Sequence, residues 1–210
     1  MVSLFCVRNS ISDTIFILYL IFDACKDVYF VKKTLVVNFV GAPGSGKSTL
    51  MAAVFAELKW RNIDCEIVTE FAKDLVWDER FDDMKDEIYI FAKQNHRLFR
   101  VNGKVDVIIT DRPLLLTILY NNRYGGGNQA LDNLVIEEFN KYNNLNYLLK
   151  RVNKYNPIGR VQTEEESDEI AVSIKEALDT YMVNYIECPG SSESVKNIVD
   201  EILCRIDKEN

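Results

Sequence analysis

The sequence predicts an α/β domain: a five-stranded parallel sheet with helices packed on both faces. Three observations carry that expectation. Short apolar, β-branched runs alternate with helix-like segments along the chain, the pattern of strand–helix units around a parallel sheet. Val105–Thr110 is an almost unbroken apolar run, as expected of a strand buried on both faces. Finally, Leu35–Val40 leads through Gly41-Ala42-Pro43-Gly44-Ser45-Gly46-Lys47-Ser48-Thr49 into a segment with Leu50, Val54 and Leu58 at four-residue spacing, so a glycine loop joins a strand to a helix. The 210 residues, 48% of them hydrophobic, suffice for one domain with a sizeable core. No linker, repeat or low-complexity tract divides them.

The elements follow in order. After the first strand, a helix is expected over Thr49–Arg61, and Cys65–Thr69 reads as strand two, ending at Glu70. Phe71–Trp77 fits a short helix. A longer one runs over 83–101, with Met84, Ile88, Phe91, Ala92, Leu98 and Phe99 as its apolar positions and Asn102-Gly103 as its stop. Strand three, Val105–Thr110, is closed by Asp111-Arg112-Pro113. Helices near 114–121 and 129–142 flank Arg123-Tyr124-Gly125-Gly126-Gly127, and Leu145–Leu149 is strand four. Residues 151–162 are irregular and basic. Thr163, with Glu166 three residues on, opens a helix through a capping box, and Ile170, Ile174, Ala177, Leu178 and Tyr181 form its buried stripe. Met182–Ile186 reads as strand five, Pro189-Gly190 as a turn, and 192–206 as a final amphipathic helix.

Residues 1–33 stand apart as an N-terminal extension to the 34–210 domain. Their apolar run, Ile15–Phe22, is too short for a bilayer, which needs about 20 residues. Asp13 and Asp23 flank it, unlike a signal peptide. Two readings stay open: an extra packed element, or a non-essential extension whose true start lies near Val31, with Lys32-Lys33-Thr34 leading into strand one.

Composition narrows the function. The net charge of −7, without a long basic run, argues against nonspecific nucleic-acid binding, and nothing calls for a membrane partner. Five cysteines without a C-x-x-C pair read as reduced thiols of a cytoplasmic protein. With His96 as the only histidine, a histidine metal site or catalytic triad is excluded.

The glycine loop matches G-x-x-x-x-G-K-[ST] in the context that motif requires, and its chemistry is anion capture. Gly41, Gly44, Ser45, Gly46 and Thr49 would present backbone N–H groups at a helix start. Lys47 would reach the β- and γ-phosphates of ATP, and the Ser48 hydroxyl would ligate Mg²⁺. In such a fold ligands sit beyond the carboxyl ends of the strands, where Glu70, Asp111, Arg112 and Arg151 are also expected. Asp111 suits a second Mg²⁺-orienting group, with a helix N-cap as the bland alternative. Glu70 is either a base for an incoming hydroxyl or a helix-start residue. Arg151–Gln162, with Lys154, Arg160, Pro157 and Gly159, suits a lid that closes cations over phosphates, or a solvated loop. Gln94 either pairs with a base or serves the core. Asn153-Lys154-Tyr155-Asn156 lacks the Asp of a guanine-reading N-K-x-D motif, which argues against a GTPase.

Glu70-Phe71-Ala72-Lys73, Phe91-Ala92-Lys93-Gln94, Thr110-Asp111-Arg112-Pro113 and Asn156–Glu164 resemble a family of small phage-encoded P-loop ATPases grouped with NadR-type nicotinamide riboside kinase domains. The Asp-Arg pair after strand three and the arginines of the lid are also similar to those of deoxynucleoside and thymidylate kinases. That resemblance implies a nucleotide-kinase-like P-loop fold in the cytoplasm (of the host, if phage-encoded). It implies an ATP- and Mg²⁺-dependent kinase whose Glu70 receives the acceptor hydroxyl and whose Arg112, Arg151 and Arg160 steady the transferring charge. Pro113 departs from the Ser, Tyr or His usual in those kinases, so the acceptor, a small nucleoside or nucleotide, is not specified. Two rivals remain: an ATPase switch acting on a protein, and a kinase of a modified base in DNA. An AAA+ motor is disfavoured, because the length leaves no room for a helical lid domain and no acidic pair closes strand three.

Overall fold

The computed structural model describes residues 32–124, 126–158 and 162–209. The extension and its Ile15–Phe22 run therefore lie outside the described residues, as does Arg160. Five strands, β1 (Leu35–Val40), β2 (Cys65–Val68), β3 (Val107–Thr110), β4 (Asn143–Lys150) and β5 (Ile186–Pro189), form one sheet in the order β2-β3-β1-β4-β5. All four pairings are parallel. Strand β1 is central, and the chain fills the β2–β3 side before crossing to β4 and β5. The order thus reverses around β1, where a ligand crevice opens beyond the carboxyl ends.

The helices are α1 (Lys47–Trp60), α2 (Phe71–Trp77), α3 (Glu87–Phe99), α4 (Leu116–Tyr124), α5 (Gln129–Phe139), α6 (Glu164–Thr180) and α7 (Ser194–Glu209). Side chains alternate along β1, and the alternation divides the core. Leu35, Val37 and Phe39 pack with α1 and α7 on one face, while Val36 and Val40 pack with α3–α6 on the other. Asn38 falls on a buried strand position. Its amide donates to Asn144 and Asn146 on β4, both at 2.9 Å, so the polar group is satisfied across the ladder.

Thr163 and Glu166 make both bonds of the expected capping box at the start of α6. Three expectations need correction. The segment 83–101 is not one helix. A single 3₁₀ turn (Asp83–Lys85) precedes α3, and Asp86 separates them by accepting the Tyr89 N–H as N-cap. The buried stripe of α3 is Glu87, Ile90, Phe91, Gln94 and Leu98, leaving Ile88 and Phe99 exposed. Strand five lies later than Met182–Ile186: the backbone turns at Met182 (φ 51°), and Val183 and Tyr185 pack against the α3–α6 core as a connection before β5 begins at Ile186.

Candidate active site

Every strand is parallel, so each delivers its following loop to the same edge of the sheet. The glycine loop leaves β1 and turns into α1 through Gly44 and Gly46, both left-handed (φ 82° and 91°), which a side chain would strain. Gly46 is the N-cap of α1 with no side-chain cap, so the helix's first N–H groups face the loop mouth. The Lys47 ammonium lies along the loop, donating to the carbonyls of Gly41 (2.7 Å) and Ala42 (2.9 Å).

Asp111, buried at the end of β3, accepts from the Ser48 hydroxyl at 2.6 Å and from the Glu70 N–H at 3.1 Å. Neither bond caps a helix; the carboxylate ties the ends of β2 and β3 to the start of α1. Glu70 occupies the N-cap position of α2, yet its side chain makes no capping bond. It accepts instead from Arg112 Nη1 at 3.4 Å. The buried Arg112 guanidinium also lies 4.4 Å from the ring centre of Tyr120, held between a carboxylate and an aromatic face.

Lys47, Ser48, Glu70, Asp111 and Arg112 all line one cavity of about 370 Å³. Gly41, Gly44, Gly46 and Thr49 line its phosphate-loop end, while Ser45 is buried beneath. Beyond Glu70 and Arg112 the walls become apolar and aromatic: Val76, Trp77, Met84, Ile90, Tyr120 and Tyr124. Arg151 is not among the lining residues. Its Nη2 pairs with Asp168 (2.5 Å) and Glu164 (3.3 Å) on α6, and its guanidinium lies over Tyr155. The segment nevertheless touches the loop, since the Tyr155 ring covers Gly44, and Ile158 and Gln162 reach the cavity. The Ser167 hydroxyl donates to the Pro43 carbonyl at 2.7 Å.

Gln94 is not among the residues that line the cavity. Its Oε1 accepts the Phe71 N–H at 2.9 Å and its Nε2 donates to Thr69 O, bracing the loop that carries Glu70. His96 is exposed, as expected. Sequence reasoning missed two residues. Glu87 lines the cavity and is 6% exposed; burial pushes its carboxyl up to about 6, with Arg112 drawing it down and Asp86 and Glu70 adding to the rise. An acid on the apolar arc of α3 was the signal that could have found it. Gly190, read only as a turn, packs directly under the phosphate loop: a Cβ there would lie 1.8 Å from the Ser45 carbonyl oxygen.

The oxygen pair of Ser48 and Asp111, both hard donors beside the loop, is a chemical fit for Mg²⁺. Among the described residues no cluster of three or more His, Cys, Asp or Glu offers another metal site, and no helix is long and apolar enough to cross a membrane. Cys65, Cys188 and Cys204 are free thiols.

No curated protein matches the chain. Among solved structures it is similar to deoxyadenosine kinase from M. mycoides with bound dATP, at 18% identity and a TM-score of 0.49, covering 82% of this chain and 99% of that one. A family described as AAA domain matches residues 36–196, from β1 into α7 and through the whole phosphate loop, and the chain belongs to that family of P-loop nucleotide-binding domains.

Proposed function

We propose that the protein is an ATP-dependent phosphotransferase that passes the γ-phosphoryl group to a hydroxyl of a small nucleoside or nucleotide. One observation carries this reading. The cavity that starts at the phosphate loop does not stop there, but continues past the Glu70–Arg112 pair into a half-apolar, aromatic-walled compartment. A bare ATPase needs room for water beside the γ-phosphate; a kinase needs room for an acceptor, and aromatic walls suit a planar base.

The roles follow from position. Lys47 and the loop N–H groups hold the β- and γ-phosphates. Ser48 and Asp111 would hold Mg²⁺, which when bound neutralises charge on the phosphate oxygens. Glu70 accepts the hydrogen bond of the acceptor hydroxyl and takes its proton as the new O–P bond forms and the bond to the β-phosphate oxygen breaks. Arg112, held beside Glu70, faces the same point, and Arg151 and Arg160 belong to a lid that brings further positive charge to the phosphates. The AAA description of the family is shared with ATP-driven motors, but a lone acid followed by arginine closes β3, and the acceptor compartment has no use in a motor.

Incubation with γ-labelled ATP and a panel of nucleosides, deoxynucleotides and nicotinamide riboside tests the reading. A labelled, phosphorylated acceptor is expected. Release of labelled inorganic phosphate that no acceptor alters would overturn the kinase reading in favour of an ATPase switch.

A further inference from the structure

Glu87 is a carboxylate that the fold itself does not explain. It is 6% exposed, its Oε2 finds no hydrogen-bond partner among the described residues, and it lines the acceptor end of the cavity beside Met84 and Ile90. The buried Gln94 and Asp132 are satisfied from within. Gln94, two turns further along α3, spends its amide on Thr69 and Phe71, and the buried Asp132 accepts from Asn121 at 2.8 Å. Nor is Glu87 needed to cap α3, because Asp86 already accepts the Tyr89 N–H. The Arg112 guanidinium, which draws on the Glu87 carboxyl, bonds Glu70 and lies over Tyr120 instead. An unpaired buried carboxylate is costly and persists where a ligand completes it.

We propose that Glu87 reads the acceptor, its carboxylate accepting a hydrogen bond from a donor group of the acceptor other than the hydroxyl that receives the phosphoryl group. The proposal rests on the kinase reading above and adds a chemical requirement to it: the acceptor carries a second N–H or O–H donor. In a nucleoside that donor is a sugar hydroxyl or an exocyclic amine. The two sources share one chemistry, and analogues separate them.

Glu87→Gln keeps the shape and removes the charge. The probes are adenosine and cytidine, their 2′-deoxy and 3′-deoxy forms, and their deaminated counterparts inosine and uridine. Affinity for each is measured by calorimetry, and kcat and KM by transfer from labelled ATP. For the preferred nucleoside the variant is expected to lose about 10-fold or more in affinity, through KM rather than kcat, with KM for ATP unchanged. Wild type should lose a similar factor with the one analogue that lacks the donor, and the variant should lose nothing further with it. A sugar analogue showing this behaviour assigns the hydroxyl, a deaminated base the amine. An unfolded variant is not the explanation if its melting temperature at neutral pH matches or exceeds that of wild type. Equal affinity in variant and wild type, or an equal loss for every analogue, overturns the proposal. Glu87-dependent nucleoside binding without any transfer would defeat the kinase reading and leave this one standing; no binding at all would defeat both.

Discussion

Gly190→Ala tests how the phosphate loop is held. Gly190 and Gly46 face each other across van der Waals contact: a Cβ on Gly190 would sit 1.8 Å from the Ser45 carbonyl oxygen and 3.0 Å from its carbon, and one on Gly46 would sit 2.7 Å from the Gly190 oxygen. Both partners are backbone, so no flexible side chain can yield. The turn is also tethered from behind, by Gly190 N–H to Lys150 O at 2.9 Å and by the Ser194 hydroxyl to Pro189 O at 2.7 Å. A methyl group therefore forces the turn and the loop apart by about 1 Å or more. Overpacking of this kind destabilises by about 1–3 kcal/mol. The functional effect should be larger, because a misplacement of about 1 Å in a positioning element can lower activity about 100-fold. Urea unfolding and titration with a fluorescent ATP analogue measure the two effects. Gly126→Ala is the control: a Cβ there meets nothing within 4 Å, although φ is +75°. That strain is worth about 1–2 kcal/mol. The two variants should thus be similarly destabilised, while Gly190→Ala alone loses nucleotide affinity. Wild-type ATP binding by Gly190→Ala would refute the reasoning.

Lys47→Ala should abolish nucleotide-dependent turnover and leave the urea midpoint nearly unchanged, since the half-buried ammonium lies along the loop, bonded to the carbonyls of Gly41 and Ala42, and belongs to none of the hydrophobic cores; turnover by the folded variant would remove the functional assignment. Glu87→Gln should stabilise the protein above pH 6 and not below pH 4.5. The folded carboxyl is raised from 4.5 to about 6, so between those values the unfolded chain loses its proton first and stability falls as pH rises. The full penalty, about 2 kcal/mol, is present above pH 6, and melting curves that give the same variant–wild-type difference at pH 4 and pH 7.5 would contradict it. Deletion of residues 1–30 should leave ATP affinity and melting temperature unchanged, because the sheet begins at Leu35 and Lys32 is already fixed by ion pairs to Asp64 and Asp106; a much lower melting temperature would make the Ile15–Phe22 run part of the core.

What was legible in the sequence was what local chemistry decides. The phosphate loop, the capping box of α6 and the acid at the end of β3 are each set by a few adjacent residues, and each lies where the pattern put it. What was not legible depends on distant chain. Met182–Ile186 alternates like a strand, but Val183 and Tyr185 are claimed by the α3–α6 core before the chain reaches β4, so pairing starts later. Ile88 and Phe99 are apolar enough for the core, yet α3 turns Ile90, Phe91 and Leu98 inward, with Gln94 tied to the Glu70 loop on the same face, and leaves those two outward. The closeness of Gly190 to Ser45 joins residues far apart in sequence and leaves no local mark on either.

That same long-range wiring bears on how the basic segment after β4 would act as a lid. Arg151 is held by Asp168 and Glu164, both largely exposed, while its own side chain is only 19% exposed. An incoming phosphate offers the same guanidinium a charge-assisted, two-pronged contact of roughly twice the strength of a neutral hydrogen bond. If the segment closes as proposed, exchanging the α6 acids for the phosphate would replace one charge-assisted contact by another and would also engage Arg151 Nη1, which is buried without a partner among the described residues. Its base is already coupled to the loop, through Tyr155 over Gly44 and Ser167 on Pro43. A shift of the glycine loop on binding ATP would be felt directly at the start of the segment proposed as the lid.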